Sequence, residues 1–436
     1  MSRRRHVFAL AVLGAVLLGC ALRLAHPGDM EYKSDERFLF ERALHVGVTE
    51  PWPWLGLRSG VHIRNPGLSV WVFVGLGRIV TAISGQTLTP LRLALGVMTL
   101  NCLALWVLWG FAISRTRRAE RAIWLWATAL VAVNPFAVLY QRKIWAQSIL
   151  PLFSLVFLLL WWKRTRPLPA FGWGLLGICL GQIHLSGFFL AAGFALVTFI
   201  HERRHPTLAR AHWRAWIIGT GLGALPMSPW LCHLAEHLRG LDVDPLPSAV
   251  FGLEYLMRLG YAVYWFTDPL GLHLGGILGL HLGNGFWAQL RDFLPYPLFI
   301  GHATWLMGAT HAGLAGVCVI LLVWLGRTRF WNRQKRHSPA SSTQLAVQAA
   351  FWGCGGLMTL TTVLIRRYYL LITFPLESVW LARLILQKLT FRSARVLLLT
   401  IFVLELAVTL GVLDYVHRNG GAPSGDYGTA FDRQRH

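Results

Sequence analysis

The sequence predicts an all-α polytopic membrane protein with about eleven transmembrane helices, and three observations lead there. Of its 436 residues 55% are hydrophobic and only 14% are charged, and the mean hydropathy is +0.50, far from the balance of a water-soluble domain. Aromatic residues are abundant, with 21 Trp, 24 Phe and 10 Tyr. The 41 Lys and Arg against 19 Asp and Glu leave a formal net charge of +22, and the cations gather in short segments between apolar runs. That excludes an ordinary soluble enzyme, a disordered chain and a disulfide scaffold. In a soluble chain the surplus would suggest nucleic-acid binding. Between apolar runs it marks one side of a bilayer, and no nucleic-acid partner is expected.

A span needs about 20 apolar residues to cross the hydrocarbon core. Such runs lie near 7–25, 90–113, 122–140, 148–162, 169–184, 187–201, 214–231, 302–326, 345–365, 368–386 and 394–415. The run 66–84 is interrupted by Gly67, Gly75, Gly77 and Arg78. Counting it as a span would turn the Arg115 to Arg121 group outward, so it is laid on the membrane surface as a juxtamembrane helix. With the N-terminus inside, the inner segments take Arg3 to Arg5, Arg115 to Arg121, Lys163 to Arg166, Arg203 to Arg214, Arg327 to Arg336 and Lys388 to Arg395. Their only acids are Glu120 and Glu202, which is the charge bias cytoplasmic loops carry.

Two outer segments are long, 26–89 and 232–301. In the second, 249–267 reads as an amphipathic surface helix; a hairpin of two further spans within 249–290 would keep the parity and give thirteen. The organisation is therefore a membrane module over 1–231 with its first outer loop at 26–89, a large outer loop at 232–301, C-terminal membrane helices at 302–417 and a polar, disordered tail at 418–436. Leu17-Leu18-Gly19-Cys20 also resembles a lipoprotein cleavage box, and either reading places the next segment outside. The other apolar cysteines, Cys102, Cys179, Cys318 and Cys354, read as small packing residues, with no CxxC and no zinc spacing.

The first outer loop holds the densest acidic stretch, with Asp29, Glu31, Asp35, Glu36, Glu41 and Glu50. Ser34 is placed as a helix N-cap with Asp35 and Glu36 in the first turn. There the two carboxylates either complement the helix dipole or do chemistry. Trp52-Pro53-Trp54 and Arg64-Asn65-Pro66-Gly67 follow. Later outer turns carry Gln141-Arg142-Lys143 with Trp145 and Gln147, then Gln182-Ile183-His184, and Arg366-Arg367-Tyr368-Tyr369. Cations at outer span ends run against the charge bias and invite a reason, although headgroup anchoring would also account for Arg142, Lys143, Arg366 and Arg367. His184 suits a phosphate or sugar hydroxyl as well as a hydrogen-bonded interfacial position. His273 and His281 lack a third ligand, so no metal is assigned.

This layout resembles the C superfamily of membrane glycosyltransferases (GT-C), in particular the family 39 and protein O-mannosyltransferase-like group that includes lipid A aminoarabinose transferases. The resemblance rests on Asp35-Glu36 just after the first span, on the Asn65-Pro66 entry to a juxtamembrane helix, and on a seven-span module followed by a large outer loop. It implies that Asp35, with Glu36 beside it, takes the proton of an acceptor hydroxyl as that oxygen attacks the anomeric carbon of a polyprenyl-phosphate sugar, with inversion. Fixed cations would stabilise the leaving phosphate, and Arg142, Lys143, Arg366 and Arg367 are the candidates, with His184 and Tyr368 at the donor. Many relatives carry a second acid in the next outer loop, where this chain has Gln141 and Gln147. That departure suits metal-free transfer: no cofactor is required, and dependence on a divalent metal is left open.

The expected partners are a polyprenyl-phosphate sugar donor, membrane lipids, and a glycan, lipid or protein acceptor. The expected place is the inner (plasma) membrane, with the N-terminus cytoplasmic and the site periplasmic. Two other classes fit the scaffold: a transporter or flippase of a lipid-linked saccharide, and a non-catalytic envelope assembly protein. Transporters put ionisable groups near the midplane, and on this reading Glu405 is the only acid deep in a span.

Overall fold

A computed structural model describes residues 3–58, 63–114, 116–240, 260–272, 291, 293–297, 301–331, 340–361, 365–422 and 427–434. His273, His281 and most of the expected surface helix at 249–267 lie outside these residues. The described chain is mostly helical, with two short antiparallel hairpins. Among the described residues four helices are long and apolar enough to cross a bilayer: His6–Leu24, Pro90–Ser114, Leu306–Gly326 and Phe391–Asn419. A fifth arises if Arg367–Thr373 and Leu376–Lys388, bent by 78°, count as one span. The other spans read from hydropathy are shorter or broken helices.

One break shows the cause. The apolar run 122–140 divides into helices Arg121–Val133 and Pro135–Tyr140. Pro135 has no N–H to continue the first helix, and Asn134 caps the second by accepting from Ala137 N at 3.0 Å. Its amide nitrogen meanwhile donates to the Asp268 carbonyl at 2.8 Å and to Glu405 Oε1 at 2.7 Å. Hydropathy counts such a run as one segment because it does not register the cap.

The first helix, Arg3–Leu24, runs beside Arg121–Val133 and Pro90–Ser114. Gly19 permits the first contact, since a Cβ there would lie 2.6 Å from the Ala132 carbonyl oxygen. Arg23 is fully buried at this crossing. Its guanidinium donates to Gln141 Oε1 at 2.7 Å, to the Gly19 and Ala132 carbonyls at 2.9 and 2.8 Å, and to Val131 O at 3.2 Å. A cation buried at helix depth needs such partners. Small residues also set the crossing of Pro167–Ile183 with Trp213–Ala224, where a Cβ on Gly174 would come within 2.2 Å of Trp216 O. Close backbone approach replaces hydrophobic drive between helices in lipid.

Helix Leu68–Ser84 is continuous through Gly75, Gly77 and Arg78, so the residues read as interruptions do not break it. Gly77 instead leaves room for Leu88 and Ala43, and Arg78 lies over the Trp52 ring at 5.1 Å. The helix leads out of a hairpin of Leu55–Arg58 with Arg64–Pro66, tied by Asn65 Nδ2 to Leu57 O at 3.1 Å and by Trp71 Nε1 to Pro53 O at 2.7 Å.

Glu120 and Glu202, the two acids of the segments expected inside, are structural. Glu120 accepts from Ser341 Oγ at 2.5 Å and Thr343 Oγ1 at 2.9 Å. Glu202 accepts from Ala211 N at 2.8 Å and Trp213 Nε1 at 2.9 Å.

The C-terminal tail departs from the expectation of disorder. After Gly420, in the left-handed region at φ 63°, Gly421–Ala422 pairs with Gly428–Thr429. The tail then docks on the acidic loop through a Glu31–Ala430 bridge, Phe431 N to Met30 O at 3.1 Å, and the Phe431 ring against Tyr32. Two aromatic side chains in a polar stretch supply the buried surface, a contribution that composition averages away. Cys20 sits inside the first helix, with Cys102 Sγ 3.9 Å from its carbonyl oxygen.

Candidate active site

Helix Ser34–His45 begins one residue earlier than the sequence suggests, with Lys33 rather than Ser34 at its N-cap. Glu36, at the third helical position, turns back to accept from Lys33 N at 3.0 Å, which satisfies one of the unpaired N–H groups of the first turn. Its other carboxylate oxygen lies 3.3 Å from Lys143 Nζ, which also meets Glu31 at 2.8 Å. Glu36 and Lys143 are 2% and 7% exposed. Burial raises the Glu36 carboxyl above the usual range, against the lowering effect of Lys143. For Lys143 burial works to lower the ammonium, but Glu31 and Glu36 outweigh it and hold the group above its ordinary value. Two of the sequence candidates, Glu36 and Lys143, are thus committed to each other.

Asp35, one position earlier, is only partly buried. It accepts from Trp145 Nε1 at 3.3 Å. The Lys143 ammonium covers that indole at 4.0 Å from the ring centroid, a cation–π contact that fixes the donor. From Trp145 a ladder of rings continues: Tyr368 at 4.6 Å, Tyr369 at 5.0 Å beyond it, and His184 at 5.3 Å from Tyr369. His184 Nδ1 receives the Ser186 backbone N–H at 3.3 Å and sits 2.7 Å from Ser186 Oγ. With Nδ1 accepting, the ring proton is on Nε2, 2.9 Å from the Gln147 amide. The amide turned to present Oε1 accepts it, which pairs a buried oxygen otherwise without a partner.

The ladder ends at a cavity of about 280 Å³ lined by Asn65, His184, Ser186 and Tyr369 among apolar walls that include Phe188, Trp230 and Ile365. An apolar pocket with a few convergent polar groups is the usual form of a small-ligand site. Asn65 Oδ1 is buried there with no hydrogen-bond partner among the described residues. Arg366 is exposed and Arg367 half-buried, and neither forms an ion pair among the described residues. Both adjoin Tyr368.

Arg142 is placed elsewhere. Its guanidinium is buried, 3% exposed, and donates to the carbonyls of Ala25 and His26, the latter at 2.8 Å. Burial lowers its pKa from the ordinary value. The structure therefore brings together Asp35, His184, Tyr368 and Arg366, turns the charge of Arg367 towards Tyr264 and Asp268, and sets Glu36, Lys143 and Arg142 to hold the loop. Trp145, Gln147 and Tyr369 belong to the site as well. Their signal in the sequence was adjacency to charged outer turns, too weak to assign a role.

A second group of acids lies deeper. Asp268 is buried with both carboxylate oxygens lacking a hydrogen-bond partner among the described residues, and Glu405 is buried with Oε2 in the same condition. Asp268 and Glu377 line a cavity of about 40 Å³ with Asn134, and Glu377 accepts from Thr373 Oγ1. Glu405 is thus not the only acid buried among the helices.

No protein-family model matches the chain, and no curated protein matches it. Solved structures that superpose on it include two of the oligosaccharyltransferase of the archaeon Archaeoglobus fulgidus: the apo form, and a complex with an inhibitory peptide and a dolichol-phosphate. Each is 14% identical with a TM-score of 0.41. The superpositions cover 94% and 95% of this chain but 57% and 56% of theirs, so the chain spans little more than half their length. At this likeness no residue carries over from those chains to this one.

Proposed function

We propose that the chain is an inverting glycosyltransferase that moves a monosaccharide from a polyprenyl-phosphate carrier to an envelope acceptor on the outer face. The observation that carries the reading is the continuous ladder from the Asp35 carboxylate through Trp145, Tyr368 and Tyr369 to His184 and an apolar cavity. A reaction between a hydroxyl and a lipid-linked sugar needs a carboxylate with access to solvent beside a groove that accepts an isoprenoid. Asp35 takes the acceptor proton as the acceptor oxygen bonds to the anomeric carbon. The bond from that carbon to the phosphate oxygen breaks, and the lipid phosphate leaves with the electron pair. Arg366, whose charge acts on Tyr368 and Tyr369, supplies a fixed cation for the developing phosphate charge, with Arg367 next to it in the chain, and such cations favour the transition state over the bound donor.

The test is transfer of a labelled sugar from polyprenyl phosphate by purified protein, wild type against Asp35→Asn. Transfer at the wild-type rate by a correctly folded variant removes Asp35 as the base. A second reading, a transporter of a lipid-linked saccharide, draws on the buried carboxylates Asp268, Glu377 and Glu405. Vesicle uptake without transfer would favour it. Absence of both activities would favour an assembly protein on this scaffold.

A further inference from the structure

We infer that His26, Asp29 and His417 form a site for a divalent transition-metal ion of the zinc class, which cross-links the last helix to the first outer loop. The two imidazoles and the carboxylate present ligand atoms that all lie within 4.8 Å of one another. His417 Nδ1 stands 2.9 Å from Asp29 Oδ2, and the His26 and His417 rings stack with centroids 3.8 Å apart. Zinc bonds of about 2.0–2.1 Å in a tetrahedron separate neighbouring ligands by roughly 3.3 Å. Both rings are exposed, so modest rotations close the remaining distance. Two neutral imidazoles and one carboxylate carry a charge of −1, which suits a dication, and three protein ligands leave the fourth position to water.

The backbone around the site is held in place by contacts the proposed reaction does not use. His26 occupies the left-handed region at φ 45°, an uncommon conformation for a residue with a side chain. Its carbonyl accepts from the buried Arg142 guanidinium and from Asp29 N at 3.0 Å. The Asp29 carbonyl accepts from Tyr427 OH, and Asp29 itself is 9% exposed. His417 lies in the last turn of Phe391–Asn419, just before the turn at Gly420 that sends the tail back over the loop. An ion here replaces the proton between His417 and Asp29. It also fixes the end of the chain against the segment that leads to Asp35. Its role is positional, and it is independent of the proposed transfer.

The experiment uses the full chain in detergent, purified without a polyhistidine tag, stripped with chelator and titrated with Zn²⁺ or Co²⁺ alone. One ion per chain is expected, with the visible absorption of tetrahedral Co²⁺, and Zn²⁺ should slow proteolysis of the tail. His26→Ala and His417→Ala should each weaken binding at least tenfold and abolish the protection, while eluting as the wild type does in size-exclusion chromatography. His201→Ala, at the separate His201–His205 pair, should bind as the wild type. Stoichiometric binding absent from the wild type overturns the inference, as does binding unchanged in His26→Ala. Loss of binding in His201→Ala alone would do so too. Should His417→Ala misfold, His26→Ala decides the matter, because its ring is exposed and its removal leaves the helix untouched.

Discussion

The indole of Trp145 donates to the Asp35 carboxylate while its face carries the Lys143 ammonium. The same lysine neutralises Glu36, the next residue after Asp35. Two adjacent acids are thereby divided: one is sealed in an ion pair, and the other is left partly open beside an aromatic ladder.

On the proposed reaction, Asp35→Asn lowers transfer by about 10²–10⁴-fold, the range of a positioned general base. Trp145→Phe removes the donor and leaves a smaller aromatic ring against Lys143 and Tyr368, so a loss of a few-fold is expected. Single-turnover transfer rates for the two variants check the order; a larger loss in Trp145→Phe than in Asp35→Asn would reverse the assignment.

Glu36 and Lys143 act on stability. Lys143→Met strands Glu36 and leaves Glu31 with Lys33 alone, and breaking a buried pair by removing one partner costs about 3–5 kcal/mol. Pairing it with Glu36→Gln should recover part of the loss. Thermal unfolding of the single and double variants measures the coupling, and additive losses would contradict a direct pair.

The same lysine predicts an alkaline limit. Unfolded lysine titrates near about 10.4, and folded Lys143 holds its proton to higher pH. Above about 10.4 the folded state therefore binds more protons than the unfolded one, and stability falls as pH rises; below it the contribution is complete. Unfolding temperatures from pH 8 to 11 should decline more steeply in wild type than in Lys143→Met. Parallel curves would show that the pair is not what the alkaline range removes.

Arg366 and Arg142 separate donor contact from structure. Arg366→Gln should raise the donor KM about tenfold, the scale of one lost charge-assisted hydrogen bond of roughly 1.5 kcal/mol, with the unfolding temperature unchanged. Arg142→Gln should lower the unfolding temperature, because it abandons the carbonyls of Ala25 and His26. Measuring KM and unfolding temperature on both proteins distinguishes the roles, and the opposite pattern would exchange them.

Tyr427 tests the docked tail. Tyr427→Ala removes the contact to the Asp29 carbonyl and a buried ring, a change of about 3–5 kcal/mol for large aromatic side chains. Hydrogen exchange at Met30 to Glu36 should quicken in the variant. Unchanged protection there would mean that the tail contributes nothing to the order of the loop.

Much of the layout is local and therefore legible in the sequence. Apolar runs locate the helices, and the juxtamembrane helix after Asn65-Pro66 falls where the pattern puts it. The acidic helix start is displaced by a single residue at Ser34. Helix length was less legible, because Asn134-Pro135 and Phe374-Pro375 lie inside runs that hydropathy averages as one.

By itself the sequence determined an apolar helical chain with its cations sorted between segments, and an acid pair at the start of a helix after the first span. Hydropathy and capping are sums over neighbours along the chain, so they can be read there. Only the tertiary structure decided which acid of the pair is free. Lys143 reaches Glu36 and Glu31 across more than a hundred residues, Arg142 turns to two carbonyls of the first loop, and the tail folds back through Tyr427 and Phe431. A buried charge takes whichever partner the packing brings within about 3 Å, since leaving it without one costs several kcal/mol, and no local pattern specifies that partner.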